Sequence, residues 1–155
     1  MKTFKKSDAP VQLTKNFSSH EFKCPCPRCT EFTVDLDHIN KLQALRDKVG
    51  KPITIDSAFR CPEHNKEVGG EPHSVHMLGH ATDIKIPGYT PNQVADMCEG
   101  FDGLGRYDTF THCDSRGTPA RWDRRTKKDQ SQDAQPQLPD GPSDEEINKI
   151  LKDLE

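Results

Sequence analysis

Ser74-Val-His-Met-Leu-Gly-His-Ala-Thr-Asp83 is the stretch on which the reading of this chain turns. It sets His76 and Asp83 seven residues apart, with Gly79 and Ala81 between them. That span is too long for neighbouring rungs of one strand. It suits a loop that carries one ligand and then runs into a strand carrying the other. Ala81-Thr-Asp-Ile-Lys-Ile86 supplies the strand, because Ala81, Asp83 and Lys85 alternate with Thr82, Ile84 and Ile86. A second short strand is expected at Phe110-Thr-His-Cys-Asp114, with Phe110, His112 and Asp114 on one face. Two imidazoles and a carboxylate (His76, His112 and Asp83) form the kind of set that leaves zinc an open fourth position for water. The stretch reads as half of a catalytic metal site.

Working outward, Pro52-Ile-Thr-Ile-Asp56 is expected as a strand that delivers Ser57 and Arg60 to the same place. A planar guanidinium there suits two-pronged contact with a terminal carboxylate or a polarised carbonyl. Asp37 is expected to cap a helix over residues 38 to 49, with Ile39, Leu42, Leu45 and Val49 at helical spacing and His38 in solvent. Gly50 and Pro52 end it. Ser18 and Glu21 have the spacing of a capping box, which predicts a short helical turn. Residues 61 to 68 predict a short helix starting at Pro62, followed by the bend Gly69-Gly70. His73 and His80, which flank His76, are read as wall or surface residues. Thr90 caps a helix from Pro91 to about residue 99, with Val94, Ala95 and Cys98 inward. Phe101 to Tyr107 leads through glycines into the last strand, so that Leu104 and Tyr107 line or back a cleft. Trp122 is read as core packing, with covering a sheet edge or stacking against substrate as the other roles open to it.

Composition bounds the rest. The chain has 155 residues, 31% apolar, and a mean hydropathy of -0.90, which fits one small domain plus something extended. Residues 1–15 are expected as a loosely held arm and 16–122 as the domain. Residues 123–142, charged and rich in Gln, Asp and Pro, read as a disordered linker. Residues 143–155 open with a capping box at Ser143 and Glu146. They then place Ile147, Ile150, Leu151 and Leu154 in one stripe, an amphipathic helix expected to dock on a protein partner. A net charge of -3 with mixed signs gives no nucleic-acid footprint. No apolar run approaches the roughly 20 residues needed for membrane insertion. Met1 to Lys6 is basic but leads into Ser7-Asp-Ala-Pro10 rather than a hydrophobic segment, so it does not read as a secretory signal. The expectation is synthesis in the cytoplasm and action elsewhere only after release.

Six cysteines without that signal argue against a disulfide framework. Cys24, Cys26 and Cys29 lie in Cys-Pro-Cys-Pro-Arg-Cys, and Cys61 lies in Cys-Pro-Glu-His64. These spacings permit a structural zinc on Cys26, Cys29, Cys61 and His64. Whether Cys24, Cys26, Cys29 and Cys61 bind a second zinc or form a disulfide stays open, and reduced cysteines capping loops are the other reading. Cys98 and Cys113 read as small buried residues.

Residues 56 to 114 resemble the zinc peptidases of the M15 family. That family comprises D-Ala-D-Ala carboxypeptidases, phage endolysins and murein endopeptidases, and its fold is shared by the hedgehog signalling domain. The motifs that carry the resemblance are Ser57-Ala-Phe-Arg60, Ser74-Val-His76-Met-Leu-Gly79-His-Ala81-Thr-Asp83 and His112-Cys-Asp114. Cys61-Pro-Glu-His-Asn65, Val68-Gly-Gly70, Phe17 to Phe22 and Ala120-Arg-Trp122 are also similar. The resemblance implies an α+β fold with a small antiparallel sheet and flanking helices. It implies that His76, Asp83 and His112 bind zinc and that Arg60 grips substrate. Asp114 is implied as base or as orienter of the metal ligand, with Asp108 as the alternative base. The implied substrate is peptidoglycan stem peptide, in the setting of a phage lysis protein or a virion-associated wall hydrolase. An inactive zinc-bearing module of a phage particle is the competing expectation.

Overall fold

Asp35 opens the first helix. In the computed structural model, which describes residues 1 to 98 and 100 to 126, Asp35 is extended and its carboxylate accepts the backbone N–H of Asp37 and of His38. The cap therefore falls two residues before the expected Asp37. The expected linker from 127 onward and the expected docking helix at 143–155 lie outside the described residues.

The strands and helices follow in chain order. β1 (Lys2–Lys5) and β2 (Glu31–Val34) pair antiparallel as a small separate ribbon. Next come α1 (Leu36–Val49), β3 (Thr54–Ser57), α2 (Pro62–Glu67), β4 (Ala81–Lys85) and α3 (Pro91–Asp96). β5 (Gly103–Arg106), β6 (Thr111–Asp114) and β7 (Ala120–Asp123) complete the order, and 3₁₀ turns occupy Ser19–Phe22 and Val75–Leu78. The main sheet has the order β3-β4-β6-β5-β7. Its first three pairings are antiparallel, while β7 lies parallel to β5. The fold is α+β, and the expected antiparallel sheet is mixed at that edge. The chain turns back after β6 and then passes to the far side of β5, so β7 must run with β5 rather than against it.

Helix α1 buries Ile39, Leu42, Leu45 and Val49, the stripe its spacing predicts, and Gly50 closes it at φ 70° with its N–H on the Arg46 carbonyl. With Phe17, Phe22, Phe32, Ile84 and Val94 this stripe forms the main core. Fully burying each such side chain contributes roughly 1.5–3 kcal/mol, which is how a chain with few apolar residues still holds a core. His38 departs from expectation. It is 1% exposed, with Nδ1 2.8 Å from Ser115 Oγ and Nε2 3.0 Å from Thr82 Oγ1. The imidazole ties α1 to the sheet instead of facing water.

Two further expectations change. The arm 1–15 is not loose: Phe4 stacks on Phe32 at 5.6 Å, and Leu13 and Val11 donate to Phe17 O and Ser19 Oγ. The ordered chain also passes the expected boundary at 122, since the Arg124 N–H bonds the Arg106 carbonyl at 2.8 Å. Helix α3 has the predicted cap, with Thr90 Oγ1 accepting the Gln93 N–H, but stops at Asp96. No helix among the described residues is long and apolar enough to cross a membrane.

Candidate active site

Register places two of the expected ligands. Asp83 on β4 is the cross-strand partner of His112 on β6, so both side chains rise from one face of the sheet. His76 arrives from the 3₁₀ turn, where Ser74 Oγ accepts its N–H. Gly79 ends that turn at φ 78°, and any side chain there would also press on the Thr33 carbonyl.

The three donor atoms form a small triangle. His76 Nε2 lies 3.3 Å from both His112 Nδ1 and Asp83 Oδ1, and His112 Nδ1 lies 3.1 Å from Asp83 Oδ1. A tetrahedral ion held by N and O bonds of about 2.0–2.1 Å needs ligand-to-ligand edges of about 3.3–3.4 Å. The observed edges fit that requirement. The outer nitrogens fix the tautomers: His76 Nδ1 donates to the Ala58 carbonyl at 2.7 Å, and His112 Nε2 donates to Asp114 Oδ2 at 2.7 Å. Both inward nitrogens are thus left as acceptors facing a carboxylate, an arrangement that calls for a cation between them.

The electrostatics agree. Burial alone would raise the Asp83 pKa, yet hydrogen bonds and charge from His112 and His76 outweigh it and hold it well below the usual carboxylate range. Burial likewise opposes charging His112, but Asp114 and Asp83 together raise it to about 9.

Around the triangle lies a cleft of about 560 Å³, lined by Arg60, Glu71, His73, Tyr107, Phe110, Trp122 and neighbours. Arg60 is braced on three sides. Its Nε donates to Ser57 Oγ at 3.1 Å, Nη1 to Asn65 Oδ1 at 3.2 Å and Nη2 to Asp83 Oδ2 at 3.2 Å. His73 is a wall residue as expected. His80 is not part of the site: its Nδ1 lies 2.8 Å from Asp35 Oδ2, behind the cap of α1.

The two expected bases behave differently. Asp114 has a side chain 0% exposed and is fully engaged. Oδ2 accepts from His112 and from Arg116 Nη2, both at 2.7 Å, while Oδ1 accepts Arg116 Nε at 2.9 Å. It stands behind His112, away from the cleft. Asp108 is exposed and accepts the Thr126 N–H at 3.0 Å, and it does not line the cleft either. Neither carboxylate is among the residues that line the cleft.

Sequence reasoning missed Arg116, and of the roles open to Trp122 the structure favours the cleft over core packing. The Arg116 guanidinium lies 5.1 Å over the Trp122 ring, and that ring sits 4.9 Å from His112. Trp122 Nε1 donates to the Tyr107 hydroxyl at 2.9 Å, and Tyr107 stacks on Phe110 at 4.4 Å. These rings build one wall of the cleft rather than core. Continuing the period-two face of β6 through 112, 114 and 116 would have pointed to Arg116.

A buried His-Asp-His set with oriented imidazoles, open on one side to a cleft, defines the metal centre of a metallohydrolase scaffold. Residues 15–114 match the sequence profile of the family Peptidase M15, well over half of the chain, and the chain belongs to that family. A curated relative, the zinc D-Ala-D-Ala carboxypeptidase of Streptomyces albus G, is 51% identical over 45 residues. That match covers 28% of this chain and 18% of the relative, so it spans less than a fifth of the relative's length.

Proposed function

We propose that this chain is a zinc peptidase that hydrolyses peptidoglycan stem peptides or their cross-links, of carboxypeptidase or endopeptidase type. One observation carries the reading: the 3.1–3.3 Å donor triangle of His76, Asp83 and His112 opens on a peptide-sized cleft. The family and the D-Ala-D-Ala carboxypeptidase relative support the substrate class. His76, Asp83 and His112 would hold a zinc ion, which would supply a Lewis acid and a water activated near neutral pH.

The chain's own residues then have definite tasks. Ala58 and Asp114 keep the imidazoles of His76 and His112 in the ligating tautomer. Asp114 is a positioning residue, the second of the two roles expected for it. Arg60 fixes the free oxygen of Asp83 and presents a half-buried cation to the cleft, where a substrate carboxylate or the oxygen of the attacked carbonyl is stabilised. Arg116 and Arg124 extend the positive wall. Tyr107, Phe110 and Trp122 offer an apolar surface to the peptide and reduce access of bulk water on that side.

Cytoplasmic synthesis followed by release, in a phage lysis protein or a virion-associated hydrolase, belongs to the same proposal. So do docking through residues 143–155 and a hedgehog-like topology. The competing reading is a catalytically inactive zinc module of a phage particle, and the turning away of Asp114 and Asp108 from the cleft is the observation that favours it. Mass analysis of muropeptides after incubating the zinc-loaded chain with sacculi separates the two. Cleavage that a His76→Ala variant lacks supports the peptidase, and an unchanged digest supports the inactive module.

A further inference from the structure

We propose that Cys24, Cys26, Cys29 and Cys61 bind a second zinc ion, in a closed tetrathiolate site that holds structure and performs no chemistry. The four sulfurs lie within 4.8 Å of one another. Cys26 Sγ is 3.4 Å from Cys29 Sγ and 3.4 Å from Cys61 Sγ, and Cys24 Sγ is 3.8 Å from Cys61 Sγ. Zinc–sulfur bonds of about 2.3 Å in a tetrahedron require sulfur–sulfur edges of about 3.8 Å. The cluster is close to that size before any ion draws it into place.

The pattern also distinguishes ligands from bonded pairs. A disulfide joins two sulfurs exclusively at about 2.05 Å. Here Cys26 is shared equally between two neighbours, as atoms around a common centre are. Of the two fourth ligands the sequence left open, Cys24 rather than His64 joins the cluster. His64 contributes instead its backbone N–H, which points at Cys61 Sγ from 3.4 Å and favours a thiolate there.

Burial makes the site closed. Cys24, Cys26 and Cys61 are buried and form an apolar cluster of their own, with Cys29 and Phe59 packed against it. Four thiolates around zinc leave two negative charges, and the Lys6 ammonium sits alongside with Nζ 2.6 Å from the Cys26 carbonyl. A full thiolate shell leaves no position for substrate water, which is the mark of a structural ion.

The location gives the ion a purpose. It would fasten the loop 24–29 to Cys61, the residue that caps α2 and follows Arg60 directly. On the other side of Arg60, Ala58 supplies the carbonyl that orients His76, and the Phe59 N–H bonds the Phe22 carbonyl at 3.1 Å. The segment 58–60 is thus gripped by the cysteine cluster at one end and engaged with the donor triangle through Ala58 and Arg60.

The test is metal content of the full chain, purified under reducing conditions with zinc supplied and measured by inductively coupled plasma mass spectrometry. Wild type is expected to hold two zinc ions, Cys61→Ser one and His76→Ala one. The His76→Ala result leaves every cysteine untouched, so it stands even if the serine variant does not fold. Cobalt(II) loaded into His76→Ala should show intense sulfur-to-metal charge-transfer absorption. Absence of metal from His76→Ala together with absence of that absorption overturns the proposal. So does a mass for the intact protein lighter by two hydrogens per bridge among these cysteines. A wild type with one zinc that His76→Ala retains would support this site while removing the peptidase reading, so the two fail separately.

Discussion

Asp114 holds His112 from behind: its Oδ2 lies 2.7 Å from Nε2, on the ring edge opposite the nitrogen that faces Asp83. On the proposed function, the acidic residue closest in sequence to His112 is therefore an orienting group. Removing the charge with Asp114→Asn also removes the anchor of Arg116. The expected outcome is zinc binding about 10–100-fold weaker in chelator competition, the usual effect of losing such a partner. Asp108→Asn should leave both zinc affinity and turnover at the wild-type level, because its only described hydrogen-bond partner is the exposed Thr126 N–H.

Arg60 makes a second prediction. Lysine keeps the charge but cannot span Ser57, Asn65 and Asp83 at once. Arg60→Lys should lose on the order of tenfold to a hundredfold in kcat/KM on a stem-peptide substrate. If its kinetics match wild type, the guanidinium fork has no part in the reaction.

Strand β5 supplies a third. Gly103 faces Asp114 and Gly105 faces Trp122, and a methyl group at either would overlap the opposing side chain. Gly103→Ala should destabilise the fold by about 1–3 kcal/mol in urea titration and weaken zinc binding as Asp114 is displaced. Gly100→Ala, where nothing lies within 4 Å, should be near neutral in the same assays.

His38 is the fourth case. Replacing it by Ala leaves the hydroxyls of Ser115 and Thr82 without their ring partner inside the protein. A loss of about 1–3 kcal/mol in unfolding free energy is expected, with zinc stoichiometry unchanged. A variant as stable as wild type would mean the ring is not an anchor.

These positions also show what the sequence carried. The alternation in 81–86 and 110–114 was enough to find β4 and β6, and the M15 resemblance pointed to the same three ligands that the structure brings together. β1 was not legible because Lys2-Thr-Phe-Lys5 offers a single apolar residue, Phe4, and a strand face needs a partner to be seen. β5 was hidden for another reason. Gly103 and Gly105 look like loop residues locally, and their cause lies across the sheet in the bulk of Asp114 and Trp122. Asp35 and Asp37 have the same capping chemistry, and only the extended backbone at the end of β2 selects the first. His38 was read as solvated because helical spacing does not reveal that Ser115 and Thr82 wait on the sheet to receive it.

The most direct test of the central claim is muropeptide mass analysis, with the zinc-loaded full chain and its His76→Ala variant run side by side on purified sacculi. The account predicts new fragments whose masses identify a cut in the stem peptide or cross-link, present with wild type and absent with the variant. An unchanged digest with wild type, at a zinc content that shows the His76 site filled, would contradict it.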